Sequence, residues 1–345
     1  MDVPLALRVD PLAAMLNCEL ADHPVYDGLE LQWFDDDVHG TGMLVFLSRR
    51  GTGLVDYYAD PALRLDPGRY SIGGGTGTWK TTTFDVARLH VTEDGVDAAA
   101  RFADVDGRSV EVVVNDRDGK RRKPAGLLAP VSSAITHPTA LMLVWLPAFD
   151  LVRRTGPAPV IRIDGQDVAI GALPGAWLHR RHLIKYAAPV VAVDVLPDDA
   201  QAMGDVEVQR ADGVVVGVGA RTGDHTAELT FHPGLPDLMS LPDGEALGGV
   251  WAVRVDDVVL TGGAWHVTRA GGQVHLGLDV TRRWHPHRLP ALMRMVTTVV
   301  PVFRRWPTTY RWRAQVDLDA ATVTSARWER TGSDGGDSYR RATGS

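Results

Sequence analysis

Gln273-Val274-His275-Leu276-Gly277-Leu278-Asp279-Val280 decides the fold class. Val274, Leu276, Leu278 and Val280 fall on one parity, and Gln273, His275 and Asp279 on the other. Period-two alternation puts apolar side chains on one face of a strand and polar ones on the other. A helix would scatter both sets around its circumference. Trp312, Ala314, Val316 and Leu318 repeat the pattern against Arg311, Arg313, Gln315 and Asp317. Val96, Ala98, Ala100 and Phe102 do so again, as do Val110, Val112 and Val114, and Trp251, Val253 and Val255. One wet face and one dry face belong to antiparallel sheet rather than to buried parallel strands.

The turns agree. Asp94-Gly95, Asp106-Gly107, Asp118-Gly119, Asp164-Gly165, Asp212-Gly213 and Gly271-Gly272 separate strand-like runs, and such pairs supply the positive φ angles of tight hairpins. The rules predict roughly sixteen to eighteen strands. The expected fold is all-β, an antiparallel meander in two tandem barrels or curved sandwiches. One or two short helices are expected as well. Asp10 to Cys18 has Asp10 as N-cap and Pro11 at the first helical position. Arg288 to Trp306 carries Leu289, Leu292, Met293, Met295, Val296, Val299, Val300 and Phe303 as an apolar set, and Pro301 ends or kinks it.

A length of 345 residues exceeds what one hydrophobic core usually fills. The Pro- and Gly-rich run Arg153 to Pro159 suggests a division into 1–155 and 156–332, with a disordered tail at 333–345. The segments from Asp94-Gly95-Val96 and from Asp212-Gly213-Val214 share a strand–turn–strand layout, as tandem copies or as unrelated hairpin meanders.

A net charge of −7 argues against nucleic acid as the main partner, which would call for a basic surface. The run Lys120-Arg121-Arg122-Lys123 reads as a solvated turn. Cys18 is the sole cysteine, so an intrachain disulfide is excluded and a reducing compartment is favoured. The N-terminus lacks signal-peptide character, and no apolar run is long enough for a transmembrane helix. The expectation is a cytoplasmic protein.

Motifs exclude more than they assign. Ile72-Gly73-Gly74-Gly75-Thr76-Gly77-Thr78-Trp79-Lys80 places Trp79 where a phosphate loop needs Gly before Lys. It reads as a glycine loop, or as a cover carrying Trp79 over a ligand. Gly-x-Ser-x-Gly is absent, and Ser132 and Ser133 have no recognisable partner. His179 and His182, three apart, would lie on opposite faces of a strand, so no metal site is expected. No cofactor is implied.

Two polar-aromatic clusters remain. Val55-Asp56-Tyr57-Tyr58 sets an acid beside two tyrosines, and His179-Arg180-Arg181-His182-Leu183-Ile184-Lys185-Tyr186 gathers cationic side chains before an apolar run. In a cavity, Asp56, His179, His182 or Lys185 would serve as acid or base, with Tyr57, Tyr58, Trp79 and Tyr186 against a ligand. On a wet face they would be solvated. The Gly-x-Trp spacing of Gly77-Thr78-Trp79, Gly249-Val250-Trp251 and Gly263-Ala264-Trp265 resembles the opening of lipocalin barrels. The strand count, the ten tryptophans and the absence of a cofactor or metal motif lead to the expectation of a calycin-like cavity for an apolar small molecule, with binding or acid–base transformation as its function. Two alternatives stand beside it. One is a carbohydrate-active β-supersandwich of epimerase or lyase type. The other is a non-catalytic interaction protein that docks on a partner or membrane surface through 288–306.

Overall fold

The computed structural model describes residues 4–70, 77–130, 138–173, 175, 179–197, 205–285, 289 and 291–330. It is all-β, built from several antiparallel sheets with little helix. The first fifteen strands are β1 (Leu5–Leu12), β2 (Ala14–Glu19), β3 (Tyr26–Asp36), β4 (Gly40–Arg49), β5 (Val55–Ala59), β6 (Trp79–Thr81), β7 (Val86–Thr92), β8 (Gly95–Ala103), β9 (Ser109–Asn115), β10 (Ala125–Ala129), β11 (Leu141–Arg153), β12 (Val160–Ile163), β13 (Gln166–Asp167), β14 (Arg181–Ala187) and β15 (Val190–Pro197). They form a ten-stranded sheet in the order β1-β15-β11-β14-β2-β3-β4-β5-β6, with β10 on β11, and a five-stranded sheet β13-β12-β9-β8-β7.

The remaining strands are β16 (Asp205–Ala211), β17 (Val214–Thr222), β18 (His225–Leu235), β19 (Ala246–Val255), β20 (Val258–Ala270), β21 (Gln273–Arg282), β22 (Tyr310–Asp317) and β23 (Thr322–Arg330). They run in sequence order through one eight-stranded sheet. Here the meander holds strand by strand. The Asp212-Gly213 turn of its first hairpin has φ of 51° and 81°, which Gly adopts without strain and Asp tolerates. The dry faces are those of the alternation: Val274, Leu276, Leu278 and Val280 are buried, as are Trp251, Trp265, Trp312 and Trp328. Each such side chain contributes roughly 2 kcal/mol of burial.

The ten-stranded sheet is not a meander. Its strands on either side of Arg153–Pro159 pair directly, β11 with β14 and β15. The sheets divide instead between β15 and β16. The sheet also curls. β1 is its edge and β2 its fifth strand, yet only Ala13 separates them in the chain.

Asp10 to Cys18 is therefore strand, not helix. Pro11 sits opposite Val191 in β1, where an edge strand tolerates a residue with no N–H to donate. Long-range pairing outweighs the capping signal there. The second expected helix forms in two pieces, α1 (Ala291–Val299) and α2 (Pro301–Arg305), broken before Pro301. No helix among the described residues is long and apolar enough to cross a membrane.

The five-stranded sheet covers one face of the ten-stranded sheet. Leu29, Leu31, Met43, Val45, Leu47 and Tyr58 pack there against Ala98, Ala100, Phe102, Val110, Val112 and Val114. On β1 and β15, Leu7, Val9, Val193 and Val195 join the core of the eight-stranded sheet, and Trp328 Nε1 donates to the Val195 carbonyl at 2.8 Å. The tail 333–345, Ile72–Thr76 and Ser132–Ser133 lie outside the described residues.

Candidate functional site

Directly paired residues of neighbouring strands project from the same face of a sheet. One such row crosses the ten-stranded sheet: Leu151, Lys185, Asn17, Glu30, Phe46, Tyr57 and Trp79, each opposite the next. It lies on the face turned away from the five-stranded sheet. Glu30 sits at its centre, buried, with Asn17 opposite it on one side and Phe46 on the other.

Two amides hold that carboxyl. Asn17 Nδ2 donates to Glu30 Oε2 at 3.0 Å, and Gln32 Nε2 donates to Oε1 at 2.6 Å. The Tyr70 hydroxyl donates to Gln32 Oε1. Burial pushes the Glu30 carboxyl up to about 7, against the pull of the two amide donors and the Lys185 charge. Burial likewise holds the Tyr70 hydroxyl well above its ordinary value. A carboxyl poised near neutrality can both give and accept a proton at physiological pH.

Rings wall the row on one side. Tyr57 and Trp79 stack with centroids 4.4 Å apart and planes 10° from parallel. Tyr70 stands edge-on to Tyr57, Trp79 and Phe34, at 6.1, 5.7 and 6.4 Å. Gly77 permits this arrangement: a Cβ there would overlap the Val55 carbonyl oxygen, so β6 could not lie so close to β5.

A second polar group lies beside Phe34, whose ring is 5.2 Å from that of His39. His39 Nε2 is 3.9 Å from Asp10 Oδ1, and its Nδ1 is 3.0 Å from Asp36 Oδ2. Arg8 pairs with Asp194 and places Nε 3.0 Å from Asp10 Oδ2. Burial raises the Asp10 carboxyl to about 6, although Arg8 and His39 oppose it. Two carboxyls shifted toward neutrality thus flank the aromatic cluster.

The residues singled out in the sequence divide between the two faces. Tyr57, Trp79 and Lys185 belong to the Glu30 row, and Lys185 Nζ is 3.5 Å from Glu19 Oε1 at its more open end. Asp56 and Tyr58 point the other way. Asp56 is buried and takes Arg49 Nε at 2.7 Å, and the Tyr58 hydroxyl accepts from the Val105 amide at 3.2 Å. Tyr186 is also on that face, 3.5 Å from Asp150 Oδ2, and burial raises its hydroxyl. His182 lies in β14 with its pKa lowered by burial and by Arg154. His179 precedes the strand and accepts from the Arg181 amide at 3.1 Å. The structure does not bring the two histidines and Asp56 into one site. Among the described residues, no three His, Cys, Asp or Glu side chains gather as a metal ion would need.

Asn17, Glu30, Gln32 and Tyr70 escape a reading by alternation. Glu30 and Gln32 alternate with Leu29, Leu31 and Trp33, the pattern of a wet face. The one usable signal is Phe34, an aromatic on the polar parity of the same strand.

Among the described residues, one cavity opens on the eight-stranded sheet and another beside α1 and α2. One, of about 360 Å³, lies over Thr230, His232, Val250, Trp251 and Arg282. The other, of about 340 Å³, lies between Arg283, Trp284, His285, Thr298, Phe303 and Arg304.

Comparison of the chain with protein-family models, curated proteins and solved structures finds no match.

Proposed function

We propose that the Glu30 face of the curled sheet binds a small molecule with an apolar body and one polar group, in the manner of a lipocalin-like cavity. Glu30 exchanges a proton with that polar group. The observation that carries this reading is a buried carboxyl with Phe46, Tyr57 and Trp79 on one side of its row and Asn17 and Lys185 on the other, held by two amides and raised to about 7. A carboxylate kept only for stability would be paired with a cation or left in water, because burial without a counter-charge is costly. Tyr57, Trp79 and Tyr70 supply flat apolar contact. Asn17, Gln32 and Tyr70 fix the polar end.

Nile red, a neutral lipophilic dye, is the probe for this site, together with native mass spectrometry and solvent extraction of the purified protein. Saturable dye binding that Trp79→Ala weakens, or a co-purifying lipophilic compound lost in Trp79→Ala, supports the reading. No saturable binding and no extracted compound overturns it.

A further inference from the structure

Between Asp279 and Asp317 the chain carries eight arginines and neither Asp nor Glu, although its net charge is −7. The structure gathers part of this stretch at one place. The strand end at Arg282 leads to Arg283, Trp284 and His285, then α1 and α2 follow. Arg283 Nη1 donates to the Arg304 carbonyl at 3.2 Å, and Arg304 Nε to the Thr298 carbonyl at 2.9 Å. Both arginines line a cavity of about 340 Å³ with His285, Trp284 and Phe303. Arg311 and Arg313 share the single carboxylate of Asp279. Arg282, Arg283, Arg294, Arg304 and Arg305 have no carboxylate partner among the described residues.

Apolar groups stand beside these charges. Met295 and Val299 are 49% and 62% exposed. Four residues apart, they share one side of α1, opposite the buried Met293. Uncompensated arginines around α1 and α2, with protruding aliphatic side chains on α1, form the pattern that seats a protein on an anionic bilayer. A soluble phosphate or a nucleic acid would use the arginines but gain nothing from Met295 and Val299.

We propose that α1, α2 and the Arg283–His285 segment dock on an anionic membrane surface. A lipid phosphate enters the cavity between Arg283 and Arg304, and Met295 and Val299 enter the acyl boundary. The site is independent of the Glu30 face and stands or falls separately from it.

Flotation of the full chain is measured with vesicles of phosphatidylcholine alone and of phosphatidylcholine with phosphatidylglycerol. Binding is expected only to the anionic vesicles and to weaken with salt. Arg283→Gln with Arg304→Gln is expected to weaken it about thirtyfold. Met295→Ser with Val299→Ser, both at exposed positions and checked for an intact fold by circular dichroism, is expected to weaken it as well. Three outcomes overturn the proposal: no vesicle binding, with or without arginine-dependent binding of inorganic phosphate or duplex DNA; equal binding to both vesicle types; or binding unchanged in either double variant.

Discussion

Gln32 Nε2 donates to Glu30 Oε1 at 2.6 Å, from two positions along the same strand. Residues so spaced share a face of the sheet, and Gln32 is itself fully buried. The amide is fixed in turn by the Tyr70 hydroxyl on its oxygen. Its NH₂ therefore points at the carboxyl, and the carboxyl has a donor on each oxygen.

Because burial raises the Glu30 carboxyl from 4.5 to about 7, the folded chain holds that proton more tightly than the unfolded chain does. The resulting stabilisation is present below about pH 4.5 and is lost as pH rises through 7. Its size is on the order of 3 kcal/mol. Asp10, raised from 3.8 to about 6, adds a loss of the same sign at lower pH. Urea unfolding at pH 5 and pH 8 is expected to show the wild type less stable at the higher pH. Glu30→Gln should narrow that difference; an undiminished difference would contradict the assignment to Glu30.

Asp104 should behave in the opposite sense. It is fully buried, and burial opposes its charge, but Arg108 Nε at 2.7 Å and the Tyr26 hydroxyl at 3.1 Å hold its pKa below the ordinary 3.8. That stabilisation is present above pH 3.8 and is lost as pH falls through the lowered value. Asp104→Asn leaves Arg108 half-satisfied where β3 meets the five-stranded sheet. A loss of about 3 kcal/mol at pH 7 is expected, read from chemical denaturation. A loss within experimental error would show that the pair does not tie the two sheets.

Gly77→Ala is expected to push β6 away from β5, because its Cβ would meet the Val55 carbonyl oxygen. Trp79 would leave the face of Tyr57, so the near-ultraviolet circular dichroism of the aromatic cluster should change and stability should fall by about 2 kcal/mol. An unchanged aromatic spectrum would mean that Gly77 does not set the stack.

The eight-stranded sheet was legible along β19, β21 and β22, where period-two alternation predicts the buried face. Asp212-Gly213 and the Val274–Val280 run needed only local rules. The ten-stranded sheet was legible as strands but not as an order. β1 pairs with β15 some 180 residues away (Arg8 opposite Asp194), and no local pattern encodes such a partner. The same gap hid the site. Lys185, Asn17 and Glu30 become neighbours only once β14, β2 and β3 are set side by side, and alternation alone assigns all three to water.

Titration of the Glu30 side chain is the most direct test. With eight glutamates in the chain, δ-¹³C labelling gives a resolvable set of carboxyl resonances, and Glu30→Gln identifies the one that matters. Followed by NMR from acid to alkaline pH, that resonance should titrate with a midpoint near 7, and the midpoint should move when Nile red occupies the face. A midpoint near the ordinary 4.5, unmoved by the dye, would place Glu30 in water and contradict the site.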